Sequence, residues 1–147
     1  MSIPVTGDQA AVKIGQNVPD SVVTFDNNNV WIKCEKLLDV CSYLRNDTEL
    51  DMQFLNSISA VDYIEYFELV YHLRSLRNNT TLIIKTKCFG RENITVSSVT
   101  SVWRGAELQE REIWDLMGIN FSNHPNMKRI LLWEGFPGHP LRKDFIR

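Results

Sequence analysis

A chain of 147 residues with 44% hydrophobic and 23% charged side chains has the composition of one ordinary globular domain, which disfavours disordered, collagen-like and coiled-coil classes. Its net charge of -2 gives no global attraction to nucleic acid or anionic lipid, because such partners need a strongly basic surface to release counterions. No stretch nears the roughly 18 consecutive apolar residues of a membrane span, and the amino end lacks both a secretory signal and an Arg-rich transit pattern, so an interior, reducing compartment is expected.

The first legible elements are Val22-Val23-Thr24-Phe25 and Val30-Trp31-Ile32, two β-branched runs joined by Asp26 and three asparagines, which read as a hairpin. From Glu35 to Arg45, Leu37, Val40, Cys41 and Leu44 recur at helical spacing and predict an amphipathic helix. Three strands are predicted next, over Phe54 to Tyr63, Tyr66 to Arg74 and Thr81 to Cys88. In the second, Phe67, Leu69, Tyr71 and Leu73 alternate with a mixed set, as in a half-buried antiparallel strand. Arg77-Asn78-Asn79-Thr80 is the turn that makes the last two a hairpin. A helical stretch is predicted from about Ser97 to Met117, broken at Gly105 and terminated at Gly118. Helices grouped with antiparallel strands, without regular β-α alternation, indicate an α+β domain: a two-layer sandwich of a mixed, mostly antiparallel sheet with helices on one face. The three cysteines, Cys34, Cys41 and Cys88, are too few and too widely spaced for a disulfide framework and read as buried free thiols.

Periodicity stops after Gly118. The expected division is therefore an α+β domain over 1–118 and an extended C-terminal arm over 119–147. The arm holds two His-Pro pairs, and the residue before proline is pushed away from helical geometry. Yet it carries Phe121, Ile130, Leu131, Leu132, Trp133, Phe136, Leu141 and Phe145, which no solvated tail would. Residues 1–122 carry 11 basic and 16 acidic side chains, and residues 123–147 carry 5 and 2. A basic, aromatic, extended segment either wraps its own domain or docks elsewhere, on an acidic protein surface or on single-stranded nucleic acid.

No autonomous catalytic set is visible. Glu107, Glu110, Arg111, Glu112 and Asp115 form a dense polar cluster in which Glu107–Arg111 and Arg111–Asp115 have the spacing of solvated ion pairs on a helix. Glu110 alone shares a side with Trp114 and Met117, so burial would demand a positive or donor partner, and a structural or interface ion pair is expected rather than a catalytic acid. His72, His124, His139 and Cys88 fit no zinc spacing, and neither a phosphate-binding glycine loop nor a Gly-x-Ser-x-Gly elbow occurs.

The run from Glu110 to Phe121 (ERE-IWDLMGINF), followed by His124-Pro125, Lys128-Arg129-Ile130-Leu131 and Gly138-His139-Pro140-Leu141-Arg142-Lys143-Asp144-Phe145, closely resembles the signature of the thirty-kilodalton subunit of respiratory complex I, NADH:quinone oxidoreductase. Asp62-Tyr63, Tyr71 to Leu76 and Ser98 to Trp103 agree more weakly, so the resemblance covers most of residues 35–147. It implies a cofactor-free structural or assembly subunit of a proton-translocating enzyme, lying peripherally on the cytoplasmic side of the membrane. Flavin, iron-sulfur clusters, NADH and quinone would sit on other subunits. The partners implied are the large quinone-pocket subunit and neighbouring iron-sulfur subunits, with no nucleic acid and no membrane span. The interface would use the signature positions Glu110, Arg111, Glu112, Asp115, Phe121, His124, Pro125, Arg129, Trp133, Gly138, His139, Pro140, Arg142, Lys143 and Asp144. Similar subunits serve membrane-bound hydrogenases, formate-linked complexes and deazaflavin-dependent dehydrogenases; an independent enzyme and a nucleic-acid module using the basic tail are the readings from other classes. Many relatives continue beyond the residue equivalent to Arg147 or are fused to the large subunit.

Overall fold

A computed structural model describes residues 2–145. The elements in chain order are β1 (Ile3–Pro4), α1 (Gly7–Asn17), β2 (Val22–Phe25), β3 (Asn29–Ile32), a 3-10 turn (Cys34–Lys36), α2 (Leu37–Asn46), β4 (Phe54–Asp62), β5 (Tyr66–Ser75), β6 (Thr80–Phe89), β7 (Thr95–Ser97), α3 (Ala106–Met117) and β8 (Asn120–Ser122). The main sheet runs β2-β3-β6-β5-β4, with β1 also beside β6. Its β2–β3, β4–β5 and β5–β6 pairs are antiparallel, while β3 and β1 run parallel to β6, so the sheet is mixed and mostly antiparallel as expected.

Register explains the core. Val30, Leu69, Tyr71, Ile84 and Ile58 occupy neighbouring positions of one face through the pairs Val30–Ile84, Tyr71–Ile84 and Ile58–Tyr71, and all are buried. They join Ile14 of α1, Leu37, Val40, Cys41 and Leu44 of α2, and Ile113 and Met117 of α3 in a single hydrophobic cluster. The opposite face, with Trp31, Val70, His72 and Lys85, is half-buried, which completes the two-layer arrangement. In the first hairpin, Asp26 accepts the amides of Asn28 (3.0 Å) and Asn29 (2.8 Å), so an aspartate side chain shapes the turn.

The predicted helix from Ser97 to Gly105 does not form. Thr95–Ser97 is a strand, residues 98–105 turn, and α3 begins at Ala106. Val96, Val99, Val102 and Trp103 have helix-compatible spacing, but β7 pairs in parallel with β8, whose residues lie beyond α3 in sequence. That long-range pairing outcompetes the local pattern. Residues 119–122 are accordingly part of the domain, with Ile119 0% and Phe121 2% exposed. Gly118 ends α3 at φ 79°, the left-handed conformation expected of a terminator. At the amino end, Ala10, Ala11 and Ile14 of α1 enter the core, and Gly7 lies so close to the Asp26 carbonyl that any Cβ would clash with backbone.

Candidate functional site: the carboxyl-terminal arm and its anchors

Residues 123–145 contain no helix or strand, yet they follow a fixed path across α3. Residues 146 and 147, the end of the expected arm, lie outside the described residues.

Asp115 is the centre of the attachment. It is fully buried. Its Oδ1 accepts from the Arg129 guanidinium at 2.7 Å, and its Oδ2 accepts three successive amides, Ile130 (3.1 Å), Leu131 (2.7 Å) and Leu132 (2.9 Å). Burial alone would raise the carboxyl's pKa, but the three amides and the guanidinium together hold it below the usual carboxylate value. Arg129 also donates to the Asp115, Phe136 and Gly138 carbonyls, folding the arm around its own side chain. Arg111 donates to the carbonyls of Lys128 (3.0 Å) and Arg129 (3.0 Å). Helical spacing suggests Arg111–Asp115 and Glu107–Arg111 pairs, but Arg111 and Asp115 both reach the arm instead. Glu112 is exposed.

Glu110 is also fully buried, and its partners are neutral. Oε1 accepts the Ser98 hydroxyl at 2.6 Å and Oε2 the Val99 amide at 2.9 Å, tying α3 to the end of β7. His124 lies 3.9 Å away. Its Nδ1 accepts the Asn126 amide at 2.9 Å, so the ring proton sits on Nε2 and is donated to the Glu107 carbonyl at 2.9 Å. Among the described residues the partners of Glu110 are thus a hydroxyl and an amide rather than the cation expected of an ion pair. Burial raises the Glu110 pKa in spite of those two bonds and the nearby imidazole.

The distal arm is clasped separately. Asp62, at the end of β4, accepts two bonds from Arg91 and the Lys143 amide at 2.8 Å. Arg142 and Arg91 both reach Asp144, and both guanidinia lie over the Phe67 ring, at 5.2 and 4.8 Å. The Arg91 guanidinium holds the Asp62 carboxyl far below its ordinary value, and Arg142 brings Asp144 down to about 2. His139 donates to the Asp115 carbonyl at 2.9 Å and packs against Trp114, while its ring lies over Gly118, where a Cβ would meet it at 2.8 Å. Sequence reasoning passes over Arg91, because a lone arginine just beyond β6 gives no local signal.

The other signature residues divide. Phe121 is inside the domain's own core, so its ring is not offered to a partner. Pro125, Gly138, Lys143 and Asp144 are exposed, and Pro140 is half-buried. Leu131, Trp133 and Leu141 project outward at 61%, 65% and 58% exposure. Among the described residues no His, Cys, Asp and Glu group is placed to hold a metal ion, and no helix is long and apolar enough to cross a membrane.

A family model described as the 30 Kd subunit of respiratory-chain NADH dehydrogenase matches residues 30–147. The chain is 44% identical over 114 residues to the second C subunit of NADH-quinone oxidoreductase from Rhizobium meliloti (strain 1021), covering 76% of this chain and 62% of that one. It is 42% identical over 119 residues to the C subunit of NADH-quinone oxidoreductase from Roseiflexus sp. (strain RS-1), covering 79% and 68%. With NADH-ubiquinone oxidoreductase subunit 9 of Reclinomonas americana it shares 43% over 117 residues, covering 78% and 56%. The matches thus span between about half and about two thirds of these relatives' lengths. Among solved structures, a chain of the membrane-bound sulfane sulfur reductase, an archaeal respiratory membrane complex, superposes with a TM-score of 0.74 at 23% identity, covering 95% of this chain and 85% of that one. At that identity the likeness is one of fold.

Proposed function

From the premise that the chain belongs to the 30 Kd subunit family of respiratory-chain NADH dehydrogenase, we propose that it is a cofactor-free structural and assembly subunit of the peripheral arm of a proton-translocating NADH:quinone oxidoreductase. In this reading it sits on the cytoplasmic side of the membrane and packs against the large quinone-pocket subunit and neighbouring iron-sulfur subunits. Flavin, clusters and quinone belong to those chains. The arm over 119–147 is the docking element, through its part beyond Ser122.

The observation that carries the proposal is the outward display of Leu131 and Trp133 on a backbone held from beneath by buried Asp115, and of Leu141, whose amide is bonded to the Leu116 carbonyl. A backbone already fixed loses little further entropy on binding, so burial of these groups is available to the association. Fully burying such side chains contributes about 1.5 to 3 kcal/mol each before ordering costs are subtracted. Lys128 and Lys143 are exposed on the same segment and suit acids on the partner.

Replacing Leu131 and Trp133 together by serine tests this. The chain is expected to keep its melting temperature while co-purification with the quinone-pocket subunit from solubilised membranes falls at least tenfold, about 1.4 kcal/mol or more of lost association. Undiminished recovery of the complex would refute the docking role. Chains of a hydrogenase or formate dehydrogenase among the co-purifying subunits would redirect the reading to a related complex.

A further inference from the structure

Cys34 and Cys88 are 54 residues apart in sequence, and their Sγ atoms are 3.5 Å apart. The approach follows from the sheet. Strands β3 and β6 run parallel with Ile32 opposite Thr86, and carrying that register two residues further sets Cys34 beside Cys88 on one face. Neighbouring strands lie ~4.8 Å apart, inside the ~4.4 to 6.8 Å Cα range that a disulfide spans. Thr86 strengthens the corner by donating its hydroxyl to the Ile32 carbonyl at 3.0 Å.

The pair is reachable. Cys34 is partly exposed and Cys88 is 5% exposed, and both line a surface pocket of about 660 Å³ walled by Trp31, Ile32, Phe89 and Ile94. Lys33, Glu35, Lys87 and Glu92 stand on its rim. Cys41, by contrast, is fully buried in the core. We propose that Cys34 and Cys88 form a dithiol site that reacts with small disulfides of the glutathione class admitted to this pocket.

The two sulfurs have different tasks. The thiol of Cys88 favours the thiolate on Cys34 and lowers its pKa, whereas the contact with Cys34 and burial raise that of Cys88. Cys34, partly exposed where Cys88 is 5% exposed, is the sulfur that an incoming disulfide reaches first, and it is the attacking one. It bonds to one sulfur of the small disulfide, whose S–S bond breaks and releases a thiolate that takes up a proton. Cys88 then surrenders its proton to solvent and attacks the Cys34 sulfur, expelling the second small thiolate, which is protonated in turn. Two protein thiols are oxidised to one disulfide, and one small disulfide is reduced to two thiols.

The test uses the full chain, reduced, freed of reductant and incubated with oxidised glutathione before denaturation and alkylation. Expected are two fewer alkylatable thiols, a cross-linked peptide joining Cys34 to Cys88, and Cys41 still alkylated. Cys88→Ser should stop at a glutathione adduct on Cys34, and Cys34→Ser should slow glutathione uptake by roughly tenfold or more. Three alkylatable thiols after incubation, a wild-type chain stalled at the mixed disulfide, or a cross-link through Cys41 would each overturn the proposal. The readout is chemistry on the isolated chain, so it stands or falls separately from the partner reading.

Discussion

The domain and the arm are built inside out relative to each other. In the domain, the sheet and three helices turn Phe67, Leu69, Tyr71, Ile84, Leu44 and Ile113 inward around one core. In residues 123–145 the inward contacts are made mainly by polar groups, the buried His124 ring, Arg129, His139 and backbone amides, with Met127 as an apolar contact to the core, while Leu131, Trp133 and Leu141 face out. A segment held by polar groups keeps its apolar surface available, whereas one held by apolar groups has already used it. Two buried carboxylates of the same helix mark the boundary: Glu110 serves the core side and Asp115 the arm side, and their pKa values move in opposite directions because their donors differ in number and charge.

The most forceful way to break this contrast is Asp115→Asn. The amide keeps one oxygen for the arm's backbone but leaves the Arg129 guanidinium without its anion, and removing one member of a buried pair costs on the order of 3–5 kcal/mol. The expected result is a lower melting temperature together with rapid trypsin cleavage after Lys128 and Arg129, both guarded in the parent chain through their carbonyls' bonds to Arg111. A variant as resistant as the parent would mean that the arm is held by something other than Asp115.

Glu110 sharpens the same contrast with a smaller effect. Alanine there strands the Val99 amide and leaves the Ser98 hydroxyl only its Thr100 partner, a loss of about 1–3 kcal/mol, whereas glutamine can still accept the amide and donate to the hydroxyl. Its folded pKa is raised, so the contribution of the protonated carboxyl is present below the ordinary value of 4.5 and is lost as pH rises through the raised value. Glu110→Gln should therefore match the parent at low pH and equal or exceed its stability at neutral pH, read from denaturant midpoints across the range. A neutral-pH loss for glutamine as large as for alanine would place a cation beside Glu110 after all.

Much of this contrast is legible in the order of residues alone. Alternation at Phe67 to Leu73 and helical spacing at Leu37 to Leu44 are local patterns, and they locate the core elements. The position of Glu110 on the apolar stripe announces its burial. What stays hidden is whatever depends on distant partners. The stretch from Ser97 to Gly105 looks helical because the pairing of β7 with β8, which lies across α3, is not visible locally, and the Arg111–Asp115 spacing suggests a helix pair because a linear reading does not reveal Arg129 as a competitor. The same blindness covers Asp62 with Arg91, and Cys34 with Cys88, where only the parallel register brings the sulfurs together. The arm's composition suggests adhesion, but composition does not say that the polar half adheres to the chain itself.

The smallest effect expected separates the members of the distal clasp. Asp144 is about half exposed, with side-chain exposure of 48%, while Asp62 is 2% exposed and holds both Arg91 and the Lys143 amide. Solvent-screened pairs contribute about 0 to 1 kcal/mol, so Asp144→Asn should leave the melting temperature within error and the Lys143 amide protected from hydrogen exchange. Asp62→Ala should deprotect that amide without freeing Leu131, whose amide rests on Asp115. Acid should act in the same direction: the Asp62 carboxyl is held below its ordinary value of 3.8, so its contribution is present above that pH and is lost as pH falls beneath it. If instead Asp144→Asn alone releases Lys143, the clasp is governed by its exposed carboxylate, and the rule that buried acids fix the arm holds at Asp115 but not at its distal end.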